Sequence, residues 1–247
     1  MDKIIRAGLV LFIVILVVFV GVVMYNTYTA SQFRNSINGT YVYTCTISTS
    51  DVMSNITLFL PVPADASGNS PVVAQISGQS ISGVPSDWNL TLFDTGKATL
   101  LKVSAKSIGL PPVNGTAHVT TVTFAVNVSS PAPIDTATPV DHAAVFRPLQ
   151  GLHTASCPAG NIEEQNIPQC YKYLTSVYAD YNAPASASIS ISETVTGTNS
   201  WTIFSPESNG YTNEVAVPLL QGENHGWVTA AGLIESGMGT AATPSFS

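Results

Sequence analysis

The side chains best suited to chemistry in this sequence are one aspartate and two histidines in a proline-rich segment. Asp141 and His142 are adjacent, and His153 follows eleven residues later. Carboxylate and imidazole groups are common ligands of divalent metals, so these three residues form a candidate metal site. The alternative interpretation is that all three are polar loop residues.

The sequence contains no recognisable catalytic motif. It has no Gly-x-Ser-x-Gly elbow, His-Glu-x-x-His pair, phosphate-binding loop or EF-hand loop. Glu163 and Glu164 are adjacent, so their side chains point apart, and His225 lies in a stretch that is typical of a turn. We therefore expect a protein that is not an enzyme and that needs no cofactor.

Three cysteines set the expected covalent framework. Cys157 and Cys170 are close in sequence, and a bond between them would close a loop of about fourteen residues, a stabilisation of roughly 3 kcal/mol. Cys45 alternates with Tyr43 and Ile47 along a predicted strand, which indicates a buried free thiol. The alternative is that all three thiols are free.

Five Asn-x-Ser/Thr sequons are candidate sites of N-glycosylation, and all of them precede residue 130. Their asparagines are Asn38, Asn55, Asn89, Asn114 and Asn127. This distribution suggests that the C-terminal part of the chain faces a partner or the membrane and stays free of sugar.

The N-terminus has the features of a membrane anchor. Residues 7–33 carry no charged side chain, and the strongly apolar residues 7–24 would span about 27 Å as a helix, close to the thickness of the hydrocarbon core. Lys3 and Arg6 precede this run, so the positive-inside rule places the N-terminus in the cytoplasm and the C-terminus outside. Residues 1–34 are thus expected to form the cytoplasmic N-terminus and the transmembrane anchor, with residues 7–33 contacting lipid.

Two other interpretations of this segment stay open. A cleaved secretory signal would be removed near residues 29–31, where the small-residue pattern is weak. A leader of the type IV pilin kind would be cut near Gly8, and the remaining apolar helix would then pack into a filament.

Residues 35–235 are predicted to form an all-β, sandwich-like domain of about ten short strands. Apolar and small polar residues alternate with a period of two, and turn-forming clusters separate the runs. The predicted strands cover residues 41–48, 56–60, 72–76, 88–93, 99–105, 118–128, 188–196, 200–204, 214–220 and 226–234. Residues 197–199 are predicted to turn the chain between two of them.

Residues 131–170 interrupt this pattern with six prolines. They are either a linker between two halves, 35–130 and 171–235, or a long loop of one domain. The apolar residues Val145, Phe146 and Leu149 favour a loop that packs on the core. Residues 236–247 are small and polar and are predicted to be a flexible tail.

The charge balance and the positions of the three tryptophans indicate which ligands the protein could bind. From residue 35 onward there are fourteen acidic and only five basic residues, which argues against nucleic-acid binding. Trp88, Trp201 and Trp227 lie in strand-like contexts and are expected in the core. The alternative is a carbohydrate-binding platform.

A resemblance to a group of known sequences rests on four short stretches, residues 55–63, 87–91, 178–181 and 225–228. They are similar to uncharacterised surface proteins of methanogenic and halophilic archaea, which have one N-terminal anchor and a β-rich ectodomain. The resemblance implies a location at the cell surface and brings no known activity.

Together these features predict a membrane-anchored extracellular envelope protein with a structural, adhesive or docking role. Its expected partners are membrane lipid and other envelope or membrane proteins, and self-assembly is one form of such contact. The alternatives are a type IV pilin-like filament subunit and an ectodomain that binds sugar or metal.

Overall fold

The computed structural model describes residues 2–96, 98–111, 118–158 and 169–239 and begins with one long helix. Helix α1 spans Asp2–Ser36. Its candidate membrane segment, Ile5–Ser36, reaches a mean hydropathy of 3.2 over a stretch that is not buried inside the protein. The predicted apolar N-terminal helix is therefore confirmed, and it is long and apolar enough to span a membrane.

The rest of the described chain is dominated by antiparallel strands. They are β1 (Asn38–Thr49), β2 (Met53–Pro61), β3 (Asn89–Asp94), β4 (Thr99–Ile108), β5 (Thr120–Ser130), β6 (Gln150–Ala155), β7 (Gln169–Asn182), β8 (Ser188–Thr202), β9 (Pro206–Ala216), β10 (Leu220–Gln221) and β11 (Asn224–Gly239). Two short helices, α2 (Val73–Ser77) and α3 (Pro139–His142), lie between strands. The predicted all-β class after one N-terminal helix is confirmed.

These strands form one continuous curled sheet with the order β3-β4-β2-β7-β11-β9-β8-β1-β5, while β10 pairs with β8 and β6 pairs with β7. Four strands that follow the proline-rich segment, β7, β11, β9 and β8, lie side by side between β3-β4-β2 and β1-β5, so the two predicted halves share a single sheet. Both edge strands, β3 and β5, contact α2. Ser82, shortly after α2, forms a backbone bridge to Ala125 of β5. The sheet therefore curls until its edges meet the same short segment.

Between Ile134 and Leu149 the proline-rich segment packs against the inner face of the sheet. The Asn199 side chain accepts a hydrogen bond from Ile134 N and donates one to Ile134 O, both at 2.8 Å. Asn213 Oδ1 accepts a hydrogen bond from Phe146 N at 2.8 Å. Val145 and Phe146 are fully buried, and Leu149 packs against the core. This part of the segment thus belongs to the packed core, and two buried asparagines supply hydrogen bonds that its backbone needs.

One predicted strand is wrong. Residues 73–76 lie in helix α2 instead, and Val72 is its N-cap. Val72 and Ile76 are both buried, whereas Ala74 between them is exposed. A spacing of four residues fits one face of a helix as well as one face of a strand, and Ala74 decides in favour of the helix.

The predicted turn at residues 197–199 is also wrong, because β8 runs through it without a break. Gly197 is required there by packing: a Cβ atom at this position would lie 2.3 Å from the Tyr211 ring. Asn199 is used as a buried side chain and not as a turn residue. The chain turns instead at residues 203–205, between β8 and β9.

Three further differences concern strands. Neither β6 nor β7 was predicted, although β7 lies near the middle of the sheet. Strand β11 continues to Gly239 and includes the first four residues of the predicted tail, while residues 240–247 lie outside the described residues. His225 lies in β11, so its expected turn is wrong.

Candidate functional site

Four aromatic side chains form a row on the outer face of the sheet, which we call the aromatic strip. It consists of Phe93, Phe59, Tyr178 and Trp227, in that order. The successive ring centroids are 5.2, 5.6 and 5.4 Å apart. The side chain of Trp227 is 62% exposed and that of Phe93 is 48% exposed. Large aromatic rings left open to solvent and touching one another form an apolar patch of the kind that marks interaction sites.

Strand register places these rings in line. Phe59 of β2 is directly opposite Tyr178 of β7, and Tyr178 is directly opposite Trp227 of β11. Phe93 of β3 reaches the Phe59 ring across the intervening strand β4, on which Lys102 lies 5.9 Å from the Phe59 ring centroid. Neighbouring strands are about 4.8 Å apart, so the strip runs about 19 Å across five strands.

Charged side chains lie beside the strip, two residues further along β11 and β7. His225 Nδ1 lies 2.7 Å from Asp180 Oδ1, and His225 Nε2 lies 3.8 Å from Glu223 Oε2. The hydrogen bond with Asp180 is the main cause that raises the pKa of His225 above its ordinary value. An apolar row with charged neighbours at its border has the arrangement of a protein–protein interface, with an apolar centre and a polar rim.

A groove of about 550 Å³ opens on the same face, further along β7 and β11. Most of its lining residues are small or aliphatic, and Lys172, Glu214 and His153 also line it. The small and aliphatic lining residues include Leu174, Leu233, Ala216, Ala231 and Gly232. Leu174 pairs with Ala231, and the row of Ser176 and Thr229 separates this pair from Tyr178 and Trp227. The strip and the groove are therefore parts of one surface.

The ring angles indicate what this surface can bind. Adjacent rings of the strip are inclined to each other by 62°, 66° and 71°. Their faces therefore do not lie in one plane, as the faces of a flat sugar-stacking platform would. Ring edges and faces alternate along the strip, and the groove beside it can take an inserted apolar side chain. Protein interfaces concentrate their binding energy in such aromatic contacts and pockets.

A second group of reactive side chains lies inside the curled sheet. Glu193 is buried and accepts a 2.7 Å hydrogen bond from the Tyr43 hydroxyl. Burial raises the pKa of Glu193 to about 8, partly offset by that hydrogen bond. Glu193 Oε2 has no hydrogen-bond partner among the described residues, and Cys45 is directly opposite on β1. The raised pKa favours the protonated carboxyl group near neutral pH, and its complete burial leaves it out of reach of a substrate.

The predicted metal-site residues are placed on separate elements. Asp141 and His142 are exposed on α3, and His153 is exposed on β6, where its Nδ1 lies 2.7 Å from Gly151 O. Within the described residues, no three His, Cys, Asp or Glu side chains are grouped so that they could hold a metal ion.

The cysteine predictions agree with the structure. Cys157 and Cys170 form a disulfide, which joins the end of β6 to the start of β7. Cys45 is buried and has no disulfide partner in the described part of the chain. Burial is the first cause that raises the pKa of its thiol well above the ordinary value, and the Glu193 carboxylate, once ionised, raises it further.

The sequon asparagines that the structure describes are all exposed: Asn38, Asn55, Asn89 and Asn127. Asn114 lies outside the described residues. Exposure is what an oligosaccharide acceptor needs, and glycosylation itself stays a prediction.

The tryptophan prediction holds for two of three residues. Trp88 and Trp201 are buried, whereas Trp227 is the exposed end of the aromatic strip. The strip was not predicted as a site from the sequence. From the sequence, Tyr178 was part of one of the stretches that carry the resemblance, and Trp227 was named both there and in the alternative of a carbohydrate-binding platform.

Comparisons with known proteins add no family: no family model, curated protein or solved structure matches this chain.

Proposed function

We propose that this protein is a membrane-anchored docking protein, whose ectodomain binds a partner protein through the aromatic strip and the adjoining groove. Helix α1 provides the anchor in lipid, with its N-terminus in the cytoplasm and the β domain outside. The observation that carries the proposal is the continuous row of Phe93, Phe59, Tyr178 and Trp227, which is exposed at both ends and half-buried in the middle. The role is structural or adhesive and involves no catalysis.

The position of Trp227 supports an extracellular partner. The end of α1 contacts the end of β8, next to the start of β9 at Pro206. At its other end, Ala216 of β9 pairs with Ala231 of β11, and Trp227 lies four residues beyond that pair. Trp227 is therefore at the end of the sheet that is remote from the anchor, where a protein outside the membrane can reach it.

The chemistry of the surface supports a protein as the partner. The strip is apolar and uneven, and Lys102, Asp180 and His225 surround it with both signs of charge. Such a rim favours a partner surface with complementary charges and contributes specificity more than affinity.

The size of the native assembly tests the proposal. Membranes from cells that make the wild-type chain, Trp227→Ala or Val119→Ala are solubilised gently, and each complex is separated by native electrophoresis. Val119 is a matched control, since it is 71% exposed and does not belong to the strip. We expect wild type and Val119→Ala to migrate as a complex larger than the chain alone, and Trp227→Ala to migrate as the free chain. Identical migration of all three proteins would refute the proposal.

A further inference from the structure

The tip of the β8–β9 hairpin lies against the helix that precedes the ectodomain. Phe204, at this tip, has its ring centroid 6.1 Å from that of Tyr25 and 6.4 Å from that of Tyr28. Despite these contacts the Phe204 side chain is 69% exposed. The ring is therefore open on the side away from the helix, where a further apolar group can contact it.

The position of the two tyrosines along α1 defines the depth of this tip. The strongly apolar run ends at Met24, immediately before Tyr25. Its 18 residues correspond to about 27 Å of helix, close to the thickness of the hydrocarbon core. Tyr25 therefore lies at the edge of the hydrocarbon, and Tyr28 lies about 4.5 Å above it in the headgroup layer, where tyrosine is enriched. Phe204 contacts both rings and is at the same depth.

The base of the hairpin is fixed to the helix, so the tip has a defined position. The Phe33 and Trp201 rings meet edge to face with centroids 5.7 Å apart. Ser36 Oγ donates a hydrogen bond to Thr202 O and accepts one from Thr202 N, both at 3.0 Å. These contacts hold the end of β8 beside the last turn of α1, while the hairpin tip extends along the helix toward Tyr25.

The composition of the tip suits a lipid surface. Residues 202–206 carry no charge. The nearest acidic residue is Glu207, whose Oε2 accepts a 3.0 Å hydrogen bond from Trp201 Nε1 and is thereby directed toward the body of the domain. An uncharged tip with an exposed phenyl ring can enter the headgroup layer without burying a charge.

We infer that the β8–β9 hairpin tip, through Ile203 and Phe204, is a second membrane contact that inserts into the outer headgroup layer beside α1. Two contacts with the bilayer hold the ectodomain at a fixed tilt and keep the aromatic strip directed away from the membrane. The inference rests on the proposed membrane anchor and adds a lipid-binding site to it.

Quenching by lipid tests this inference in the full-length chain. Phe204→Cys and Leu219→Cys are each labelled with an environment-sensitive fluorophore and reconstituted in phosphatidylcholine vesicles that contain a lipid spin-labelled near the headgroup. Leu219 is a matched control, since it is 64% exposed and follows the opposite end of β9. Cys45 is buried and does not compete for the label.

We expect the spin-labelled lipid to quench the label at position 204 severalfold more strongly than the label at position 219. Equal, weak quenching at both positions would overturn the inference, because the tip would then contact only Tyr25, Tyr28 and water. Flotation of the same vesicles separates the two proposals. A chain that floats with lipid but shows no quenching at position 204 retains its anchor and lacks the second contact, whereas a chain that does not float overturns both.

Phe204→Ser provides a second readout that needs no label at the tip. Loss of the lipid contact should leave flotation unchanged, because α1 still anchors the chain, and should let a water-soluble quencher reach Trp201 more readily. Trp201 is 2% exposed and lies just before the tip. Unchanged quenching of tryptophan emission in vesicles would count against an inserted tip.

Discussion

The hydroxyl of Tyr43 donates a 2.7 Å hydrogen bond to Glu193 inside the curled sheet, where both side chains are buried. Burial raises the pKa of Glu193 to about 8 from an ordinary value of 4.5. The folded protein therefore holds a proton that the unfolded chain releases between these two pH values. The stability contributed by this proton is fully present below pH 4.5 and is lost as the pH rises toward 8.

Glu193→Gln should remove this dependence on pH. Glutamine is neutral at every pH and can still accept the hydrogen bond from Tyr43. Between about pH 5 and 8 the free energy of unfolding of wild type should fall relative to the variant by up to about 1.4 kcal/mol per pH unit. Denaturant unfolding of both proteins in lipid nanodiscs at four pH values measures the difference. Parallel pH profiles would show that the Glu193 carboxyl is not protonated in the folded state.

Two tryptophans should separate stability from docking. Trp201 is buried, contacts Phe33 and donates a hydrogen bond to Glu207, so Trp201→Ala should lower the free energy of unfolding by about 3–5 kcal/mol. Trp227 is largely exposed, so Trp227→Ala should change it by less than about 1 kcal/mol. Chemical unfolding of both variants measures this. A large loss of stability in Trp227→Ala would mean that the ring serves the fold and not a partner.

Two glycines of β11 form another matched pair. A Cβ atom on Gly232 would lie 2.2 Å from the Tyr173 ring, whereas a Cβ atom on Gly226 would meet nothing within 4 Å. Gly232→Ala should therefore destabilise the protein by about 1–3 kcal/mol, because the Tyr173 ring has to shift within a packed core. Gly226→Ala should be neutral or slightly stabilising. Thermal unfolding followed by near-ultraviolet circular dichroism compares them, and equal midpoints would contradict the packing of Tyr173 over Gly232.

The cysteines should differ sharply in their response to reagents. Replacing Cys157 and Cys170 together by serine opens a loop of about fourteen residues and should lower the free energy of unfolding by about 3 kcal/mol, which chemical unfolding measures.

Cys45 is buried and its thiol pKa is raised, so it should react with a thiol reagent only on unfolding. Titration of native and denatured protein counts the thiols. One rapidly reacting thiol in the native protein would contradict the burial of Cys45.

The apolar N-terminal helix and most strands of the β domain could be predicted from the sequence because each carries one clear pattern. The uncharged apolar run has a single low-energy solution in lipid, a helix, and this is α1. Strands β1 and β5 have one buried and one wet face, so Phe124 and Val126 alternate with Thr123 and Asn127. In such strands a period of two is visible without knowledge of the neighbours.

Strand β7 could not be predicted in this way because apolar residues occur on both of its faces. Tyr173 and Tyr181 are buried, whereas Leu174 and Tyr178 lie on the outer face. The alternation that marks a half-buried strand is therefore absent. These apolar outer residues belong to the strip and the groove. The residues that make the strand hard to predict are therefore also residues of the candidate site.

The aromatic strip itself also lay beyond prediction from the sequence. Its four rings come from β3, β2, β7 and β11, and they meet only because of the strand order and register. The same holds for Asn199 and Asn213, whose hydrogen bonds to residues 134 and 146 depend on how the proline-rich segment packs. Pairings of this kind are determined by the tertiary structure and not by local sequence.

The most direct measurement is site-specific photo-crosslinking in native membranes. A photoreactive amino acid is placed at Trp227, and in a separate strain at Val119, which is similarly open to solvent but apart from the strip. A docking surface predicts a discrete crosslinked product from position 227, weakened by Tyr178→Ala, and none from position 119. Crosslinking that is absent at position 227, or equal at both positions, would contradict the assignment of the aromatic strip as a docking surface.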